Sequence, residues 1–298
     1  MADEGLRSGF VTVVGRPNVG KSTLVNCLLG AKVTITSPRP NTTRRSVRGV
    51  LHRPGLQAVF VDTPGLHRPK TALGSRLNEH VADALDDMDV IVPVLDATAA
   101  IGPGDRMVLA RAADGVGRDA TRSVLVVVNK VDRASPDEVL ARLDGARHEL
   151  QARGADDVTE YFGVSATTGA GVDALLDAVL ARLPPGPPYF PDDMVSDVPE
   201  AFWVAELVRE QLLARMREEL PHAIACRVVE WEWPRVRVEI VVERESQKPM
   251  VIGKGGSLLK EVGTAVRAQL PPGAFVELHV RVEKHWQQRP DVIERLGY

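Results

Sequence analysis

"GRPNVGKST" spans Gly15 to Thr23, after the apolar run "FVTVVG" and before the helix-like "LVNCLLG". The spacing G-x-x-x-x-G-K-[ST] between a strand and a helix is that of a P-loop. Its glycines let backbone N–H groups close around phosphate oxygens, which makes Gly15, Asn18, Val19, Gly20 and Thr23 candidate phosphate contacts. Lys21 supplies a point charge to the β- and γ-phosphates and Ser22 a hydroxyl to Mg²⁺, with the helix N-terminus adding positive potential.

The runs "QAVFVDTPG", "DVIVPVLDA", "SVLVVVNKVD" and "VTEYFGVSA" follow, with helix-like stretches at Lys21–Leu29, Ser75–Leu85, Asp105–Ala113 and Asp137–Arg153. Runs that are apolar throughout, rather than alternating, fit strands covered on both faces. Their alternation with helices predicts an α/β domain with a doubly wound, mostly parallel sheet, and ligands at the carboxyl ends of its strands.

The chemistry-bearing residues fall at those ends. In "VDTPG", Asp62 is placed to hold Mg²⁺ through water, and the Gly65 N–H to sense a γ-phosphate; Thr63 and Pro64 complete that loop of the nucleotide site. In "NKVD", the carboxylate of Asp132 can accept both N1–H and the N2 amino group of guanine, a donor pair that adenine lacks. Asn129 is placed to bond the base and Lys130 to pack over its face. A site built on such a pair discriminates strongly, because a missing donor leaves buried polar atoms unpaired. "VSATTG" adds Ser165, Ala166 and Thr167, whose backbone can meet the guanine O6. The cofactors implied are GTP or GDP and Mg²⁺.

"LPPGPPYFPDD", Leu183 to Asp193, holds five prolines in eleven residues and can continue neither a helix nor a central strand. The pattern beyond it changes to α-β-β-α-α-β. A helix over Glu200–Leu220 is followed by the strands "AIACRVVEWEW" and "RVRVEIVVER", a glycine loop flanked by helices, and the strand "AFVELHVRV". The organisation predicted is a tail at 1–7, a nucleotide domain at 8–183, a proline-rich linker at 184–199 and an α+β domain at 200–298.

The second glycine loop, "VIGKGG", lacks the Lys-Ser ending of a P-loop. It matches the KH pattern, V-I-G-x-x-G between short helices, in the type II order of elements. There Gly253, Lys254, Gly255 and Gly256 let a single-stranded RNA backbone approach, while apolar helix faces such as that of Ile252 hold splayed bases. Over 192–298, 15 Lys and Arg stand against 18 Asp and Glu, yet between Arg244 and Arg267 the count is five against two. A local patch around Lys248, Lys254 and Lys260 suits a short single strand. Trp286, beside Lys284 and His285, is a base-stacking candidate with Lys284 next to it, whereas Trp231 and Trp233 read as hairpin packing.

The whole chain carries a net charge of −3, so no global basic signature exists, and 44% hydrophobic residues suffice to bury two cores. Its two cysteines, Cys27 and Cys226, lie far apart in apolar patterns and support neither a zinc site nor a disulfide framework. Neither a signal peptide nor an apolar run long enough to span a membrane is read in the sequence, so the expected location is cytoplasmic.

Residues 8–183 resemble the translation-factor-type P-loop GTPases. With the KH pattern, "ITSPRPNTTRR", "DTPGLHRPK" and "VERESQKPMVIGKGGSLLKEVG", the full length resembles the Era-like GTPase family. The resemblance implies GTP hydrolysis used as a timing switch, with Lys21, Thr43 and Gly65 as the catalytic set. It makes "RPNTTRRS" switch I, in which either Thr42 or Thr43 closes onto Mg²⁺; Thr43, directly before Arg44, is favoured. The metal set is then Ser22, Thr43 and Asp62. Where many GTPases carry a water-orienting Gln after DTPG, this chain has Leu66, so slow hydrolysis is expected. Arg44, Arg45 and Arg68 read as solvated switch-loop cations. The implied partners are the 3′ region of 16S ribosomal RNA and the 30S subunit, with GTP favouring the RNA-binding arrangement. A peripheral membrane association is left open, although no amphipathic anchor stands out, and the chain is expected to be a monomer.

Overall fold

Five consecutive residues of "SVLVVVN", Val124 to Val128, are wholly buried. Leu125 and Val127 point into one core, while Val124, Val126 and Val128 point into another. That is the strand covered on both faces which an uninterrupted apolar run demands, and each such side chain contributes roughly 1.5–3 kcal/mol on burial. The computed structural model describes residues 5–66, 71–86, 88–119, 121–155, 159–216 and 220–298. They fall into two compact units.

The first unit comprises Met1–Thr34, Thr43–Arg68 and Leu77–Asp197. Its strands and helices are β1 (Arg7–Gly15), α1 (Lys21–Leu29), β2 (Val47–Arg53), β3 (Leu56–Asp62), α2 (Ala72–Asp86, whose first turn counts with the second unit), β4 (Val90–Asp96), α3 (Pro103–Arg118), β5 (Ser123–Asn129), α4 (Pro136–Gln151), β6 (Thr159–Val164) and α5 (Val172–Ala181). The sheet runs β2-β3-β1-β4-β5-β6 and is parallel except for the edge strand β2, which pairs antiparallel to β3. The order reverses beside β1, so the P-loop leaves the sheet at its topological switch point, where such folds bind ligands. Local chemistry agrees with the helix boundaries. In α4, for example, Ser135 and Glu138 form a reciprocal capping box that brackets Pro136 at the first helical position.

Two features differ from expectation. β2 was not read as a strand, because "VRGVLHR" interrupts its apolar residues with Gly and basic side chains. The linker expected at 184–199 is fastened to the first unit as far as Asp197. Ser8 N–H donates to the Pro184 carbonyl (3.0 Å), Gln57 Oε1 accepts from the N–H groups of Tyr189 and Phe190, and Val50 N–H donates to Val195 (2.8 Å). Prolines cannot donate to a ladder, but their carbonyls still accept, so a proline-rich chain can lie along a sheet edge.

The second unit comprises Ile35–Thr42, Pro69–Arg76 and Val198–Tyr298. Its elements are α6 (Glu200–Arg215), α7 (Leu220–Ala223), β7 (Ala225–Glu232), β8 (Arg235–Val242), α8 (Lys248–Ile252), α9 (Ser257–Arg267), β9 (Phe275–Val282) and α10 (Pro290–Arg295). The sheet runs β7-β8-β9, antiparallel and then parallel, and has its own core with α6 and α9. The register of β7 on β8 slips between Val228 and Glu230, which makes Val229 the extra residue of a β-bulge. The single helix expected over Glu200–Leu220 stops at Arg215, because Met216 turns to extended backbone. Met216 remains buried, so the apolar pattern that suggested continuity persists past the break.

Buried Arg209 of α6 holds both oxygens of the Glu206 carboxylate and donates to the Thr42 carbonyl. Glu210 accepts from Thr36 N–H (3.0 Å) and Arg39 donates to the Met216 carbonyl (3.0 Å). The stretch Ile35–Thr42 therefore enters the unit as bonded structure.

Candidate functional site

β1 ends at Gly15 and α1 begins at Lys21, so residues 16–20 form a loop at the strand's carboxyl end, with Asn18 in the left-handed region. The buried Lys21 ammonium donates to the carbonyls of Gly15 (3.2 Å) and Arg16 (3.1 Å). Burial pulls its pKa down to about 8, and the nearby Asp62 carboxylate limits the fall. Arg16 is anchored by Asp105 (2.7 Å), which also caps the Gly102 N–H at the start of α3. No sequence signal pointed to Asp105. Val19 is buried and Thr23 half-buried in α1.

Asp62, at the end of β3, is fully buried. Its Oδ2 accepts from the hydroxyls of Ser22 (2.7 Å), Thr34 (2.8 Å) and Thr43 (3.1 Å), and the Ser22 and Thr43 oxygens lie 2.9 Å apart. Burial raises its pKa, against the opposing pull of Lys21 and those three hydroxyls. Its Oδ1 is buried without a hydrogen-bond partner among the described residues. A small hard cation takes oxygen donors, so an orphaned carboxylate oxygen beside the Ser22 and Thr43 hydroxyls fits Mg²⁺. Of the two candidate threonines, the structure brings Thr43 to this cluster, while the Thr42 hydroxyl donates to the Arg39 carbonyl. Thr34 was missed because "VTIT" carries no motif and meets Asp62 only through the fold.

Beyond Asp62, Thr63 is buried with its hydroxyl on the Val13 carbonyl (2.8 Å), and Pro64 is buried beside it. Gly65 passes so close to the P-loop that a Cβ there would come within 2.7 Å of the Pro17 nitrogen. Leu66 lies in the core and its N–H bonds the Gly15 carbonyl (3.1 Å). Of the switch cations, Arg45 is exposed but Arg44 is buried, contrary to expectation; Arg68 lies outside the described residues.

The residues expected to read the base gather at the ends of β5 and β6. Asn129 is buried and donates to the Val19 carbonyl (2.9 Å) while its Oδ1 accepts from the Ala166 N–H (3.0 Å). It fastens the P-loop to the loop after β6, which leaves one N–H of its amide for a base. Lys130 donates to the Asn18 carbonyl (2.7 Å) and to Asp96 Oδ2 (2.6 Å), which fixes its stem. Burial of Asp96 would raise its pKa, but hydrogen bonds from Lys130 and Thr98 outweigh it and keep the carboxylate ionised. The Asp132 carboxylate is held low by the Ser165 hydroxyl. Ser165 and Ala166 are buried and Thr167 is exposed.

In the second unit α8 ends and α9 begins around the other glycine loop. Gly253, Gly255 and Gly256 all have positive φ. A Cβ on Gly253 would meet the Leu258 nitrogen at 2.7 Å, so no other residue fits. Lys254 and Lys260 are exposed, Lys248 is half-buried, and Ile252 packs on the core edge. Met250, unremarked in the sequence, presents an apolar side chain 54% exposed beside the loop. Lys284 is exposed after β9. Trp286 corrects the reading made of it. It is fully buried, donates its indole N–H to the Ala223 carbonyl (2.9 Å) and packs near Tyr298, so no base can stack on it.

Residues 10–130 match the family described as 50S ribosome-binding GTPase, and residues 219–287 match the KH domain. The chain is 47% identical to the GTPase Era of Mycobacterium avium (strain 104) and 45% identical to that of Mycolicibacterium smegmatis, each over 98% of this chain and 99% of the relative. Among solved structures it is similar to Era in complex with MgGDPNP and nucleotides 1506-1542 of 16S ribosomal RNA, with a TM-score of 0.90, 38% identity, and coverage of 98% and 99% of the two chains. A variant of Aquifex aeolicus Era bound to GDP.AlF4- matches with the same TM-score and 37% identity over the same shares of each chain.

Proposed function

Because this chain belongs to the Era family of GTPases, we propose that it binds small-subunit ribosomal RNA near its 3′ end through the KH domain and acts as a GTP-timed switch in maturation of the 30S subunit. It hydrolyses GTP to GDP and phosphate with Mg²⁺, in the cytoplasm.

Asp132 reads guanine, Lys130 packs on the base, and Asn129 with the loop 165–167 closes the pocket. Lys21 and the P-loop N–H groups hold the phosphates. Ser22, Thr43 and Asp62 would hold Mg²⁺, which when bound would neutralise phosphate charge. Thr34 positions Asp62. Because Leu66 is buried and apolar, no side chain from that position orients the attacking water, and intrinsic turnover is slow.

The observation that carries the reading is an exposed Lys254 in a loop of positive-φ glycines, in one chain with an intact P-loop, Asp62 and Asp132. Crosslinking in cells followed by sequencing should recover the 3′ end of the small-subunit RNA. Lys254→Glu should abolish that enrichment while GTP turnover stays within about twofold, and RNA affinity should fall with added salt. Enrichment that survives Lys254→Glu would remove the loop from the RNA site.

The pKa of Lys21 gives a second test. As pH rises through about 8 the free protein loses the charge that the phosphates need. Affinity for GDP should therefore fall by about tenfold between pH 7 and 9, with proton uptake on binding. Calorimetry at pH 8.5 in two buffers of different ionisation enthalpy measures that proton directly. A flat pH profile with no uptake would place Lys21 in a more polar setting than the structure shows.

A further inference from the structure

Trp231 and Trp233 line a groove where hairpin packing was expected of them. They are 37% and 47% exposed, with ring centroids 6.0 Å apart and planes inclined by 29°. Trp231 lies directly opposite Val236, a wholly buried core residue, and opposed residues share a face of the sheet. The indole is thus on the core side, just beyond the first turn of α6. There the two tryptophans, Trp203, Leu270 and Pro271 enclose a groove of about 460 Å³, a volume suited to one or two side chains.

Among the described residues, the one charged side chain lining this groove is that of Glu200, the first residue of α6. Glu200 makes no ion pair among the described residues, whereas Glu232, opposite Arg235 in the hairpin, lies on the other face of the strand from Trp231 and acts on Arg235. The cations of the hairpin are already engaged, Arg235 by Glu277 (2.8 Å) and Arg237 by Glu230 (2.5 Å). The groove therefore joins the electron-rich faces of indoles to one carboxylate, Glu200, that has no ion-pair partner among the described residues. That combination attracts a flat organic cation and disfavours a phosphate-bearing strand. Leu270 and Pro271 follow the C-terminal end of α9, whereas the Gly253–Gly256 loop precedes its N-terminal end, roughly 16 Å away along eleven residues.

The geometry points to a binding site for an arginine side chain presented by a basic protein segment. The guanidinium lies over the Trp231 and Trp233 rings and pairs with Glu200, at the opposite end of α9 from the RNA loop.

The test uses the full chain and the peptide acetyl-Gly-Arg-Arg-Gly-amide. Its neutral isostere, with citrulline for arginine, is the control. Each of the four tryptophans contributes one indole N–H signal to an NMR spectrum, so the buried Trp286 serves as an internal reference. The signals of Trp203, Trp231 and Trp233 should shift saturably while that of Trp286 stays in place, and the citrulline peptide should bind about tenfold more weakly or worse. Glu200→Gln and Trp231→Ala should each lower affinity by about fivefold or more with the Trp286 signal unmoved. Unmoved groove signals, or equal binding of the citrulline peptide, would overturn the site. So would a single-stranded RNA oligonucleotide shifting the same three signals at lower concentration, which would make the groove a nucleobase site.

Discussion

Replacing Asp132 with Asn should weaken GTP and GDP binding by about a thousandfold and turn the site towards xanthine nucleotides. The Ser165 hydroxyl lowers the pKa of this carboxylate, which in the proposed role would accept both donors on the guanine edge. An amide keeps one acceptor and sets an N–H against the second donor. Xanthine carries an oxygen where guanine has its amino group, and that oxygen accepts what the amide offers. Folding should be untouched, because Asp132 lies in a single exposed turn after β5. Displacement of a fluorescent GDP by GDP and by XDP measures the change. Guanine preference that persists in the variant would mean that Asp132 does not read the base.

Removing Arg209 should cost about 3–5 kcal/mol of stability in the second unit, because it strands a buried carboxylate. The guanidinium is wholly buried and holds both oxygens of Glu206, itself only 7% exposed, together with the carbonyl of Thr42. All four tryptophans lie between residues 203 and 286, so urea unfolding followed by tryptophan emission reports this unit alone. Arg209→Met should lower the midpoint sharply. Arg209→Met with Glu206→Met should recover most of the loss, since apolar side chains of similar size can replace a buried pair. If the double variant is as unstable as the single, the penalty comes from the lost bond to Thr42 and not from the stranded charge.

The legible parts of the molecule were those written in local spacing. Lys21, Ser22, Asp62, Asn129 and Asp132 stand at strand ends because apolar runs of strand length stop there, and Lys254 sits between glycines that only a tight loop explains. What could not be read depends on distance along the chain. Thr34 reaches Asp62 across 28 residues and Asp105 reaches Arg16 across 89. Trp286 follows Lys284 and His285 and looked like part of a basic aromatic surface, yet adjacency does not say which way a side chain turns. Its indole found Ala223, 63 residues away. The helix end at Arg215 was hidden for a related reason, since the buried Met216 continues the apolar pattern after the backbone has left the helix.

The bulge at Val229 carries a consequence for how this surface could change. In an uninterrupted strand, side chains alternate strictly, so from the core-facing Val228 the next inward position would be Glu230. The extra residue shifts that position to Trp231. Straightening the strand while keeping Val229 would therefore turn Glu230 onto the helix-covered face and Trp231 into solvent, whereas deleting Val229 would leave Trp231 opposite Val236 and the groove in place. The bulge thus absorbs one extra residue, and recognition at this end of the domain depends on strand register as well as on side-chain identity.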